Sequence, residues 1–152
     1  MDTKKKVLAI IWWIYIVLLL VVVVIKFNGS FGELRDRVNS YSMEGSINYN
    51  LIPFRSLGAQ VSHISQGWAL KNLLGNLVSF MPFGFLLPIA YGKINTYIKV
   101  FIVGCLSIIS MELLQLITKL GSFDVDDIIL NMVGVSIGYL AVCFMKRSLN
   151  KR

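Results

Sequence analysis

Three carboxylates and four amides stand at the margins of long apolar runs: Glu112, Asp124 and Asp127, with Asn72, Asn76, Gln115 and Asn131. Donor sets of this kind suit three chemistries. They could hold a divalent cation, because Ca²⁺ and Mg²⁺ take carboxylate and amide oxygens. Glu112 and Asp127 could divide general acid and base work between them, once their surroundings separate their pKa values. The set could also hydrogen-bond a polar headgroup, sugar or peptide, with Arg55, Lys71 or Lys119 as counter-charge. The structural alternative is an interhelical clamp, whose bonds contribute only ~0.6–2 kcal/mol each. No nucleophile with an adjacent base is visible, and the DVDD run at 124–127 is not a diagnostic metal spacing.

These residues need elements to position them. The chain has 152 residues, 56% hydrophobic and only 15% charged, against about 25% charged in a soluble domain. Four stretches are long and apolar enough to cross a bilayer core ~30 Å thick: Val7–Ile25, Asn72–Tyr91, Tyr97–Ile117 and Val125–Met145. Their apolar runs are continuous rather than alternating, which argues for helices over a barrel. The expectation is a single all-α integral membrane domain over residues 1–152, with four transmembrane helices and a long loop between the first and second. The first stretch follows Lys4, Lys5 and Lys6. Its apolar core exceeds the ~7–15 residues of a secretory signal, so it reads as an uncleaved span.

If the spans thread alternately, nine of the fifteen Lys and Arg residues fall on one side: Lys4, Lys5, Lys6, Lys93, Lys99, Lys146, Arg147, Lys151 and Arg152. The positive-inside rule then places both termini in the cytoplasm of a multi-pass cell-membrane protein. The same thread brings the start of the second span, the end of the third and the start of the fourth to the extracytoplasmic end, where the acids and amides gather. An ionisable group at membrane depth is costly and is usually kept for a task. The net charge of +7 is read as topology and attraction to anionic lipid. No clustered basic face or motif for nucleic acid is present.

Periodicity sorts the polar residues. Asn72, Asn76, Ser79 and Phe83 share one face of the second span, and Pro82 is expected to kink it. Gly104, Cys105, Ile108, Glu112 and Gln115 form a stripe on the third, continued by Lys119. Asp127, Asn131, Gly134 and Gly138 lie in a narrow arc on the fourth, with Asp124 close by and Asp126 pointing elsewhere. Gly134 and Gly138 make a GxxxG pair that lets another helix approach. Ser122 or Asp124 is a natural N-cap, which gives Asp124, and in part Asp126, a bland account. Cys105 and Cys143 read as buried thiols. His63 reads as a surface or interfacial residue, since no titrating partner is evident.

The long loop runs over 26–71, with turn signals at Asn28-Gly29-Ser30 and Gly45-Ser46 and an irregular stretch over 40–50. Asn50-Leu51-Ile52-Pro53-Phe54-Arg55 could lie along the headgroups or fold back over the helix ends. Leu57 to Leu70 reads as a further interfacial helix anchored by Trp68.

Four blocks in order, NLIPF (50–54), NLLGNLVSFMPFGFLLP (72–88), ELLQ (112–115) and FDVDDIILNMVG (123–134), make this chain resemble the VanZ-like family of bacterial membrane proteins. The resemblance covers about residues 48–140, preceded by a span as in the family. It implies a four-helix membrane domain and low-level resistance to teicoplanin-type glycopeptides. It carries over Asn50, Pro53, Asn72, Asn76, Pro82, Glu112, Gln115, Asp124, Asp127 and Asn131. Many members resembling this chain have a basic residue just before the FDxxD block, where this chain has Ser122, with Lys119 a turn earlier.

Three functions follow as expectations. The first is an envelope protein that binds an amphiphile, such as a membrane lipid or a lipid-bearing glycopeptide, through Asn50, Arg55, Asn72, Asn76, Glu112, Gln115, Asp124, Asp127 and Asn131. The second is an intramembrane enzyme using Glu112 and Asp127 around Mg²⁺ on a lipid-linked substrate. The third is an accessory subunit docking a membrane partner through Gly134 and Gly138.

Overall fold

The computed structural model describes residues 3–24, 36, 39 and 49–149. Ile25, both turn signals of the long loop and most of its irregular stretch lie outside the described residues. Helix α1 spans Thr3–Leu19 and continues as a π-helical turn, Leu20–Val24. A short strand β1, Tyr49–Asn50, precedes α2, Arg55–Ser62. The long helices are α3, Gly67–Ala90, α4, Tyr97–Thr118, and α5, Val125–Leu149, with β2, Phe123–Asp124, just before α5. Helices α3, α4 and α5 are long and apolar enough to cross a membrane, and α1 is shorter at 17 residues.

Two departures from expectation concern the loop. Residues 57–70 do not form one helix. Helix α2 ends at Ser62, a turn intervenes, and α3 begins at Gly67, five residues ahead of the expected span. Tyr49–Asn50 is not irregular but pairs in parallel with Phe123–Asp124. The chain before α2 therefore folds back over the helix ends.

Lipid is as apolar as leucine, so helices in it associate through close packing more than through the hydrophobic effect. Helices α3 and α5 form the most extensive pair, and glycine makes it possible. A Cβ on Gly84 would stand 1.9 Å from the Val135 carbonyl oxygen, one on Gly138 2.0 Å from that of Met81, and one on Gly134 2.2 Å from that of Leu77. The GxxxG face expected to receive a partner's span is thus filled by α3 of the same chain. Helix α4 joins through Gly104, where an added Cβ would meet the Val135 side chain at 3.2 Å. The buried side of α4 runs Val100, Gly104, Ile108, Met111, Glu112 and Gln115, which is the expected stripe with Cys105 at its edge. Phe80, Phe83, Leu87, Ile108 and Val135 form the centre of the core.

Helix α3 passes unbroken through Pro82 and Pro88. A proline removes one ladder bond and crowds the carbonyl four residues earlier. Helix α1 docks against this weakened turn. The Tyr15 hydroxyl donates to the Ser79 carbonyl at 2.7 Å, and the Trp12 ring packs edge-on to Phe83, with centroids 5.1 Å apart. Tyr15→Phe is expected to weaken this docking by about 1 kcal/mol. Faster amide exchange confined to α1, in protein held in lipid nanodiscs, would show it. Unchanged exchange there would mean that the bond carries no weight.

Candidate functional site

Glu112, Gln115, Asp124, Asp127 and Asn131 are buried at one end of the bundle, with Asn76 half-buried beside Asp127, and most of them engage one another or the backbone. Asp124 caps α5: its Oδ1 accepts from the Asp126 backbone N–H at 2.9 Å, the N-cap bond expected of an Asp at this position. The same oxygen accepts from Asn50 Nδ2 at 3.0 Å, so the cap also holds β1 against β2. The Asn50 side chain in turn accepts from the Ile52 N–H at 3.2 Å. Glu112 reaches across from α4, and its Oε2 accepts from the Asp124 N–H at 3.2 Å. A carboxylate nearly two turns inside a span therefore finds its donor in the backbone. Asp127 accepts from Asn76 Nδ2 at 2.5 Å, which ties α5 to α3.

Helix α4 ends close to this cluster. Lys119 adopts the left-handed conformation (φ 57), which turns the chain so that the Leu120 and Gly121 N–H groups both donate to the Gln115 carbonyl. The Gln115 side chain is buried against Gly121, where an added Cβ would stand 3.3 Å from its Cδ. Lys119 contributes its backbone to this turn, and the residue is exposed.

Asp126 does point away from the Asp127 and Asn131 arc, and the structure adds a partner that the sequence did not name. Asp126 is 1% exposed and accepts four hydrogen bonds from the returning chain. Its Oδ1 takes the Phe54 N–H at 2.6 Å. Its Oδ2 takes the Ser56 N–H at 2.9 Å, the Ser56 hydroxyl at 2.8 Å and the Leu57 N–H at 3.0 Å. The first N–H groups of a helix lack intrahelical partners, and Asp126 supplies them for α2 from another element. The available signal was negative: an off-arc acid in the first turn of a span needs a donor of its own.

Other expected site residues fall elsewhere. Asn72 and Arg55 are exposed, so neither enters the buried cluster. Asn131 is buried one turn below Asp127, and its Oδ1 has no hydrogen-bond partner among the described residues. His63 is exposed and turns back on its own helix, its Nδ1 lying 2.9 Å from the Ala59 carbonyl. The divalent-cation reading of Glu112, Asp124 and Asp127 gains no geometry. Among the described residues no three His, Cys, Asp or Glu side chains converge as a metal site.

An apolar groove of about 390 Å³ runs beside the cluster between α1, α3 and α4, with Trp12, Trp13, Leu20, Phe83, Ser110 and Leu114 in its walls. A single turn of α4 serves both features. Glu112 and Gln115 face the buried cluster, while Leu114 faces the groove.

The chain is 27% identical over 117 residues to Protein VanZ of Enterococcus faecium, a match covering 74% of this chain and 66% of that protein. No solved structure matches. The model of the family described as VanZ/LLP1 matches residues 12–146. That match takes in the latter part of α1, the β1–β2 pairing, the buried acids, α3, α4 and nearly all of α5, and the chain belongs to the VanZ/LLP1 family.

Proposed function

We propose that this protein is a VanZ-like protein of the cell envelope that binds an amphiphile at the extracytoplasmic end of its bundle. In doing so it lowers susceptibility to lipid-bearing glycopeptides such as teicoplanin. In this reading α1 and its π-helical turn form the fourth span, and both termini face the cytoplasm. The ligand's apolar chain lies in the groove against Phe83 and Leu114, and its polar part meets the rim of the Glu112, Gln115, Asp127 and Asn131 cluster. The observation that supports this most is the shared turn of α4. An amphiphile needs apolar and polar surface in immediate succession, and residues 112–115 supply both.

The test is drug susceptibility of cells carrying wild type, Ser110→Phe, Glu112→Gln or Asp127→Asn, with membrane levels of each protein matched. Ser110→Phe fills the groove without touching the acids. It is expected to abolish protection against an acylated glycopeptide and to leave response to a deacylated one unchanged. Asp127→Asn is expected to lower affinity for the acylated compound. Full protection by all three variants at equal abundance would refute the reading.

A further inference from the structure

The hydrogen bonds to Asp126 fix the depth of the chain that makes them. Asp126 is the second residue of α5, a helix long and apolar enough to cross a membrane. Phe54, Ser56 and Leu57 donate to its carboxylate from their own backbone at 2.6–3.0 Å. Residues 51–55 therefore sit level with the N-terminal end of α5. Apolar side chains at this level are presented outward: Leu51, Ile52 and Phe54 are 61%, 57% and 65% exposed. Phe54 is held at φ 67, a conformation that a bulky residue rarely adopts and that persists only where its surroundings enforce it. Here a buried carboxylate enforces it while the ring points away from the protein.

Charge selects what covers this surface. Between residues 49 and 149 every acid is buried and every Lys and Arg is exposed. Among the described residues from 49 to 149, the exposed cations at this end of the bundle are Arg55, Lys71 and Lys119, joined by an exposed Trp68, while Asp36 of the preceding loop is an exposed acid. Cations and an aromatic ring around projecting apolar side chains match a lipid surface whose headgroups carry phosphate.

We propose that residues 51–55 form a rigid wedge that inserts Leu51, Ile52 and Phe54 into the bilayer leaflet at this end, while Arg55 pairs with the phosphate of an anionic lipid. The proposal goes beyond amphiphile binding in the groove and holds whether or not the protein alters drug susceptibility.

The test uses the full chain with Cys105→Ala and Cys143→Ala, and a single new cysteine from Leu51→Cys or Phe54→Cys carrying an environment-sensitive dye. Each protein is reconstituted in phosphatidylcholine vesicles with or without phosphatidylglycerol. Both dyes are expected to be quenched by lipid bearing a spin label near the top of its acyl chain and shielded from aqueous iodide. Quenching by the lipid label is expected to deepen when phosphatidylglycerol is added, and Arg55→Gln is expected to remove that increment. Iodide access equal to that of the free dye at both positions would overturn the wedge. A lipid signal indifferent to both phosphatidylglycerol and Arg55→Gln would overturn the phosphate contact. Adding Asp126→Ala to the Phe54→Cys protein is expected to return that dye to iodide, because the segment is no longer held at depth. A dye that stays shielded there would overturn the role given to Asp126.

Discussion

Asp126→Ala is expected to free the whole of residues 54–57 from the bundle. Hydrogen bonds to a charged group contribute ~1.5–3 kcal/mol each, and four converge on this one carboxylate. They do not add fully, because the released amides can be hydrated at the surface, so the expected loss is about 3 kcal/mol. Asp126→Asn is the sharper variant. A carboxylate accepts at both oxygens, whereas an amide accepts at one and donates at the other. Whichever way the Asn is turned, its NH₂ faces at least one N–H donor, so an isosteric change is expected to lose most of the same stability. Hydrogen exchange checks both variants. Protection of the Phe54, Ser56 and Leu57 amides is expected to collapse in each, with α3 and the lower part of α5 unaltered. Retained protection in Asp126→Asn would show that geometry alone, not acceptor chemistry, holds the segment.

The second large effect is at Gly84. Its added Cβ would stand 1.9 Å from the carbonyl oxygen of Val135, and a backbone oxygen cannot rotate away as a side-chain end can. Gly84→Ala forces α3 and α5 apart along a contact that Gly134 and Gly138 share. Overpacking of this kind costs ~1–3 kcal/mol in cores whose neighbours can shift, and more where they cannot. Gly75 lies on the same helix with nothing within 4 Å of an added Cβ, so Gly75→Ala gains helix propensity, up to about 1 kcal/mol, without a clash. Unfolding of the two variants in mild detergent, titrated with a denaturing one, is expected to separate them by about 3 kcal/mol, Gly84→Ala below wild type and Gly75→Ala at or above it. Equal stabilities would mean that the helices do not meet backbone to backbone.

Much of this arrangement was legible from residue order. Continuous apolar runs marked the long helices, because backbone in lipid must bond within its own segment. The period of 3.6 marked the buried stripe of α4 and placed Glu112 and Gln115 on it. It also set Asp127 and Asn131 above two glycines that a neighbouring helix would need. Position before an apolar helix gave Ser122 or Asp124 as the N-cap, and the folded chain uses Asp124. These are properties of single helices, and a single helix is what a periodic pattern describes.

Tertiary structure decided the partners. The donors to Asp126 come from a segment about seventy residues away that is not periodic, so no pattern within α5 could disclose them. The GxxxG pair announced a close approach but not whose helix would make it, and α3 of the same chain does so because Gly84 offers a matching gap. Sequence by itself determined that these acids and amides would be costly enough to need partners. Only the folded chain decided that the partners are largely its own backbone and amides, which leaves Leu51, Ile52 and Phe54 to face outward.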